Sequence, residues 1–169
     1  MIDERPALVA ERSRIGDWEM TTVLGRPGGS VLVTMGERKR RYTRIALVAN
    51  KDSAAVTAGR LHSLRPCQDR VETMTFDNGK EFARHAQVAE QREAKAYFAH
   101  PYHAWERGLN ENPNGLIRQY FPKGSDLSQL TAKQVQHVEA RLNSRPRKGL
   151  AYQTPNDSFL PPRPLALAT

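Results

Sequence analysis

The chain has 169 residues, which is long enough for one domain with a buried core, and it carries 26 Lys and Arg against 18 Asp and Glu. The resulting net charge of +8 favours a polyanionic partner, nucleic acid before membrane. Its single cysteine, Cys67, excludes an internal disulfide and argues against a cysteine-rich zinc site. No apolar run reaches membrane-spanning length, and the charged residues 1–5 are unlike a signal peptide. We therefore expect a cytoplasmic domain that faces DNA or RNA.

Three segments rich in β-forming residues follow a charged lead-in segment at residues 1–15, which has no apolar period. They predict strands at 18–24, 31–35 and 42–49. A glycine-rich turn separates the first two strands, and a basic tip at residues 37–41 separates the second from the third. Short turns between consecutive strands predict an antiparallel meander.

Helix and strand signals alternate in the rest of the chain. Helices are predicted at about 53–65, 80–90, 111–121 and 131–143, and strands at 71–76 and 95–99. Asp52 or Ser53 can cap the first helix, which Pro66 ends, and Thr131 can cap the last. A meander followed by this alternation predicts an α/β fold with a mixed sheet covered by helices. The proline-rich tail, residues 160–169, is expected to be disordered.

Two carboxylates occupy positions where catalytic groups assemble in α/β proteins. Asp77 follows the strand predicted at 71–76, and Glu111 stands in the first turn of a helix, where the macrodipole favours a negative charge. An ordinary Asp-Asn-Gly turn and a charge-complementing residue at the helix start explain the same residues without a function. Because adjacent strands are about 5 Å apart, the two carboxylates could meet at one sheet edge. Such a pair beside a phosphate is a ligand set for Mg²⁺.

Side chains that hydrogen-bond or stack on nucleic acid are dense between residues 98 and 123. The basic tip and a second basic loop at 145–148 suit either a solvated surface or, beside a site that handles DNA, contacts with phosphates. The candidate DNA-binding residues are His103, Arg107, Asn110, Asn114, Arg118, Arg145, Arg147 and Lys148.

Several stretches together resemble one protein family. They are FDNGKEF at 76–82, WERGLNEN at 105–112 and NGLIRQYFPKG at 114–124, with shorter matches at 16–19, 142–143, 145–148 and 154–155. The family is the insertion-sequence-thirty type of bacterial transposases, and the resemblance spans roughly residues 2–159, with residues 16–159 as the integrase-like catalytic core. It implies a ribonuclease H-like, retroviral-integrase-like fold with a five-stranded sheet. It also implies DNA strand cleavage and transfer with two Mg²⁺ or Mn²⁺ ions, a homodimer or larger transposase assembly, and a nucleoid-associated location.

The resemblance also assigns the site residues. In this family two aspartates and a glutamate hold the two metal ions, and Asp77 and Glu111 match the second and third of these acids. The first acid does not match, because Thr21 stands where the family pattern Trp-Glu-x-Asp has its aspartate. An uncharged hydroxyl is a poor ligand for a hard cation. Asp17 and Glu19 alternate onto the same strand face as Thr21, so Glu19 is a conceivable substitute for the missing acid. It lies about 7 Å along the strand from Thr21, which is too far to replace it without remodelling.

Three functions remain open from the sequence. The first is a transposase catalytic core whose activity Thr21 impairs, and the second is a catalytically inactive, DNA-binding transposase remnant that pairs with intact transposase. The third is a ribonuclease H-like nuclease of unrelated biology, which does not explain the match at residues 110–124. Family members carry an N-terminal helix-turn-helix region, and nothing before Gly16 is long enough to be one. We therefore expect an excised core or a degraded copy.

Overall fold

The computed structural model describes residues 2–77, 82, 94–100 and 111–160, with only the backbone for residues 111–113. Its central feature is a five-stranded sheet in the order β3-β2-β1-β4-β5. The strands are β1 (Asp17–Leu24), β2 (Val31–Glu37), β3 (Thr43–Val48), β4 (Thr73–Phe76) and β5 (Lys95–Phe98). The pairs β1–β2 and β2–β3 are antiparallel, whereas β1–β4 and β4–β5 are parallel. The predicted meander and mixed sheet are confirmed.

Five α-helices accompany the sheet in the described residues. They are α1 (Ala7–Ala10), α2 (Ser53–Leu64), α3 (Glu111–Tyr120), α4 (Ala132–Asn143) and α5 (Pro155–Phe159). Asp52 caps α2 by accepting hydrogen bonds from the backbone N–H groups of Ala54 and Ala55, and Thr131 caps α4 in a capping box with Gln134. The helix predicted at 80–90 and most of the tail predicted to be disordered lie outside the described residues. No described helix is long and apolar enough to cross a membrane.

The sheet separates two apolar clusters because side chains alternate along each strand. On one face Trp18 and Met20 of β1 pack with residues of α2 and with Phe159 of α5. On the other face Val23 of β1 packs with Ile117 of α3 and with residues of α4. Asp17, Glu19 and Thr21 alternate with Trp18 and Met20, so they belong to the α3–α4 face.

Helix α4 covers the open edge of the sheet at β3. Asn143 accepts a hydrogen bond from the Thr43 backbone N–H at 2.8 Å and donates one to the Thr43 carbonyl at 2.7 Å. One turn earlier, Glu139 Oε2 accepts from the Ile45 backbone N–H at 2.7 Å. These two buried side chains replace the missing neighbouring strand, which protects the edge from pairing with another chain.

The N-terminal residues and α5 complete the packing, and the sequence pattern predicted neither element. Ile2 and Val9 are buried, and the Val9 carbonyl accepts a hydrogen bond from Arg38 Nε at 2.9 Å. Phe159 stacks on the ring of Tyr42 and meets Trp18 edge to face. Helices α1 and α5 have four and five residues, which is too short to show a helical period.

Candidate active site

Thr21 and Asp77 lie side by side at the carboxyl end of the parallel pair β1–β4. The register of this pair ends at Met20 opposite Phe76, so the next two residues are Thr21 and Asp77. The Thr21 hydroxyl donates a hydrogen bond to Asp77 Oδ2 over 3.1 Å. Thr21 is buried, with 7% of its surface exposed. Thr21 and Asp77 therefore meet through a hydrogen bond, where the family pattern has two carboxylates.

The first turns of α3 approach the same place from the helical layer. Thr34 is the cross-strand partner of Thr21, and its hydroxyl donates to Asn114 Oδ1 over 3.1 Å. Glu111 is the first residue of α3, three positions before Asn114, and positions three apart share a helix face. The carboxylate of Glu111 lies outside the described side chains, so its meeting with Asp77 stays a prediction.

Thr34 is a site residue that the sequence analysis missed. It ties the start of α3 to β2, which positions the helix carrying Glu111 against the strand carrying Thr21. The position of Thr34 follows from the register of the β1–β2 hairpin, in which a short turn joins the strands and Leu24 pairs with Val31. Counting back from that pair places Thr34 opposite Thr21.

Asp17 and Glu19 lie on the Thr21 face of β1, and cationic partners hold both. Asp17 is fully buried, accepts from the Thr73 hydroxyl at 2.7 Å and forms an ion pair with Arg14 at 3.0 Å. Glu19 is fully buried and forms an ion pair with Arg38. A buried carboxylate with a cationic partner is held in place by it. Recruitment of either acid to a metal ion would require breaking that pair.

The interpretation of residues 37–41 as a basic, solvent-facing tip is wrong for its first two residues. Strand β2 continues through Glu37, which is fully buried and accepts hydrogen bonds from the backbone N–H groups of Gly16 and Arg40. Arg38 is only 4% exposed because it pairs with Glu19 and binds the Val9 carbonyl. Burial, with neighbouring arginines adding to it, lowers the pKa of Arg38 to about 10. Arg38 is therefore buried away from any DNA.

The candidate DNA-binding residues separate into three groups. His103, Arg107 and Asn110 lie outside the described residues. Asn114 and Arg118 lie one turn apart on α3 and are half-buried. The third group is Arg145, Arg147 and Lys148. Arg145 and Lys148 are exposed. Arg147 Nη2 donates a hydrogen bond to the Leu142 carbonyl at 3.1 Å and so caps the end of α4.

No group of three or more His, Cys, Asp or Glu side chains that could hold a metal ion occurs among the described residues. At the candidate site the described side chains include the Asp77 carboxylate and the hydroxyls of Thr21 and Thr34. A hydroxyl that donates to the carboxylate also occupies an oxygen lone pair that a cation would use. The Thr21 hydroxyl would therefore compete with a cation for Asp77 Oδ2.

Comparison with solved structures defines the class of fold. The chain matches one from the simian T-cell lymphotropic virus intasome in complex with PP2A regulatory subunit B56 gamma, with a TM-score of 0.68 and 18% identity, over 89% of this chain and 58% of that one. It also matches the catalytic core domain of BIV integrase, with a TM-score of 0.64 and 16% identity, over 87% of this chain and 95% of that one. The predicted ribonuclease H-like, retroviral-integrase-like fold is confirmed.

Sequence comparison shows similarity to transposases. The chain is 46% identical to the transposase for insertion sequence element IS4351 of Bacteroides fragilis, over 94% of this chain and 48% of that protein. It is 40% identical to transposase InsI for insertion sequence element IS30A of Escherichia coli K12, over 92% of this chain and 41% of that protein. The chain thus spans about half the length of these relatives. No family model matches it. The resemblance to transposases of the insertion-sequence-thirty type is confirmed.

Proposed function

We propose that this chain is the catalytic core of an insertion-sequence transposase, and that its metal-dependent cleavage and transfer of DNA strands is impaired by Thr21. The observation that carries the proposal is the hydrogen bond from the Thr21 hydroxyl to Asp77. A hydroxyl donor lies beside Asp77, at the position where the resemblance implies the first acid. The two transposase relatives support the reaction class.

The implied cofactor is Mg²⁺ or Mn²⁺, which would polarise a phosphate oxygen and activate the attacking group. Asp77 and Glu111 would hold one ion weakly. A second ion needs a bridging carboxylate, because two dications about 4 Å apart repel each other strongly in a site of low dielectric. Thr21 cannot supply that negative charge, so we expect the second ion to be lost.

The chain's own residues would act by positioning. The Thr21 hydroxyl fixes one oxygen of Asp77, and the Thr34–Asn114 hydrogen bond holds α3 against the sheet. The candidate contacts to DNA are those predicted from the sequence, among which Arg145 and Lys148 are exposed. We propose DNA as the partner, a homodimer or larger transposase assembly as the active form, and a nucleoid-associated place in the bacterial cytoplasm.

A second candidate function is a catalytically inactive, DNA-binding transposase remnant that acts by pairing with intact transposase. It is favoured by the same site, because Asp17 and Glu19 are already paired with Arg14 and Arg38 and are not free to replace the missing acid. The two candidates differ in one property, namely whether any strand transfer remains in the unmodified chain.

Strand transfer in Mg²⁺ or Mn²⁺ distinguishes them. The unmodified chain, Thr21→Asp and Thr21→Ser would each be fused to a domain that binds the terminal repeats. We expect Thr21→Asp to exceed the unmodified chain by roughly two to three orders of magnitude, since removal of one electrostatic contact commonly costs that much. Thr21→Ser, which keeps the hydroxyl, should match the unmodified chain. Residual transfer in the unmodified chain supports an impaired enzyme, and none supports the remnant. Measurable transfer at equal rates by Thr21→Asp and the unmodified chain would contradict both.

A further inference from the structure

A polar pocket lies near the amino end of β1, at the end of the sheet away from Thr21 and Asp77. It has a volume of about 490 Å³ and is lined by Arg12, Lys39, Arg40, Arg41, Gly149, Leu150, Ala151 and Gln153. We call it the basic pocket. Trp18 pairs with Glu37 across β1 and β2, and the pocket's hairpin residues follow Glu37. The pocket is therefore separated from Thr21 by at least three strand residues, or about 10 Å.

Four cations line the basic pocket, and none of them forms an ion pair with a described carboxylate. They are Arg12, Lys39, Arg40 and Arg41. Glu37, whose charge acts on Arg41, is buried, and its two oxygens accept hydrogen bonds from the backbone N–H groups of Gly16 and Arg40. The Lys39 ammonium donates to the Ser13 carbonyl at 2.6 Å. The pocket therefore presents positive charge that its own residues leave uncompensated.

Buried guanidinium donors in this region lack acceptors. Arg12 Nε and Arg40 Nε are buried without a hydrogen-bond partner among the described residues, as is Arg147 Nε. Burial lowers the pKa of Arg41, and the charges of Arg12 and Arg147 lower it further, against the opposing effect of Glu37. Because the charges of Arg41, Arg12 and Arg147 repel one another, an anion bound among them would relieve that repulsion.

The backbone of the pocket is also unusual. Four non-glycine residues in the described chain have a positive φ: Arg12, Arg41, Ala151 and Tyr152, at 57°, 60°, 51° and 64°. Three of them line the pocket, and the fourth follows Ala151. Helix ends and tight turns explain the left-handed conformation, but glycine adopts it at lower cost than arginine. Strained residues of this kind concentrate at functional sites.

We propose that the basic pocket binds a phosphodiester group of duplex DNA, distinct from any phosphate at Asp77. Arginine forks match phosphate oxygens in geometry as well as charge. The cations continue past the pocket to the exposed Lys148 and Arg145, so a polyanion suits the surface better than an isolated anion. DNA as the source of the phosphate rests on the proposed function, whereas the affinity of the pocket for phosphate does not.

The test compares charge-matched variants in duplex binding as a function of salt. Arg12→Gln/Arg40→Gln removes two charges in the pocket, and Arg65→Gln/Lys133→Gln removes two exposed charges elsewhere. We expect the pocket pair to lower affinity about tenfold and to reduce the slope of log K against log salt by about 1, the value for one phosphate contact. The control pair should stay within about twofold of the unmodified chain. Equal losses in the two pairs would overturn the proposal.

A second variant keeps every native cation. Gly149 lines the pocket, and a Cβ added there meets no atom within 4 Å. Gly149→Asp therefore places a negative charge in the pocket without a clash, and Gly149→Ala is its steric control. We expect Gly149→Asp to bind duplex DNA about tenfold more weakly than Gly149→Ala, like the loss of a charged phosphate contact. Equal affinities for Gly149→Asp and Gly149→Ala would overturn the proposal.

An NMR titration with pyrophosphate separates the pocket from the proposed function. We expect saturable shifts in the backbone amide signals of residues 39–41 and 149–153, and their loss in Gly149→Asp. If the unmodified chain fails to bind duplex DNA while pyrophosphate produces these shifts, the phosphate site stands and the DNA-directed function fails. If pyrophosphate leaves these signals unchanged, the pocket is not a phosphate site.

Discussion

Both ends of β1 carry polar side chains on the same face of the strand, but these side chains have different partners. At the amino end Asp17 and Glu19 are fully buried, and each has a cationic partner, Arg14 or Arg38. At the carboxyl end the Thr21 hydroxyl donates a hydrogen bond to the Asp77 carboxylate. Acids on one face of a strand are therefore not equally available to a metal ion. A buried carboxylate needs its counter-charge to stay ionised in the core.

The two ends of β1 also differ in how much their contacts contribute to the stability of the fold. The amino end is closed by interlocking contacts among the N-terminal residues, β1 and the β2–β3 connection. The described contacts at the carboxyl end include the hydrogen bonds Thr21–Asp77 and Thr34–Asn114, neither of which is an ion pair. Substitutions at the amino end should therefore reduce the free energy of unfolding much more than substitutions at Thr21.

The largest effect is expected from Arg38→Met. It leaves the fully buried Glu19 without its counter-charge, which typically costs about 3–5 kcal/mol. Urea unfolding followed by circular dichroism measures the loss. The matched control is the double variant Glu19→Leu/Arg38→Met, which removes both charges and should recover most of it. If the single and double variants were equally unstable, lost packing rather than an unpaired charge would be responsible.

A smaller loss is expected from Asn143→Ala at the β3 edge. It removes both hydrogen bonds to the Thr43 backbone and leaves a buried N–H and C=O unpaired, for about 1–3 kcal/mol. The same urea titration applies, with Asn156→Ala as the control, because Asn156 bonds only an exposed Ser144 hydroxyl among the described contacts. Self-association of Asn143→Ala, followed by light scattering, would also show that α4 protects the edge. Equal stability of the two variants would argue against that role.

The smallest loss is expected from Thr21→Val at the candidate site. The substitution is close in volume and removes only the hydrogen bond to Asp77, so we expect about 0.5–1.5 kcal/mol. Thr21→Ser keeps the hydroxyl and serves as the control. A loss for Thr21→Val as large as that for Arg38→Met would mean that the two ends of β1 do not differ as described.

The sequence predicted the meander well because its three strands have six to eight residues and local signals. The meander shows β-rich segments with short turns, and Asp52 and Thr131 are ordinary helix caps, so both predictions are confirmed. The assignment of Asp77 beside Thr21 came from a family resemblance, and the parallel register agrees with it. The burial of Arg38 was not predictable, because its partner Glu19 is distant in sequence and a basic run normally indicates a solvated turn.

Calorimetric titration of Mg²⁺ and Mn²⁺ tests the central claim most directly, which is that Thr21 deprives the site of its bridging acid. The unmodified chain would be compared with Thr21→Asp and with Thr21→Asp/Asp77→Asn, which has the new acid but lacks the old one. We predict that the unmodified chain binds at most one ion weakly, that Thr21→Asp binds more tightly and with a higher stoichiometry, and that the double variant loses this gain. Two ions bound by the unmodified chain as tightly as by Thr21→Asp would contradict the account.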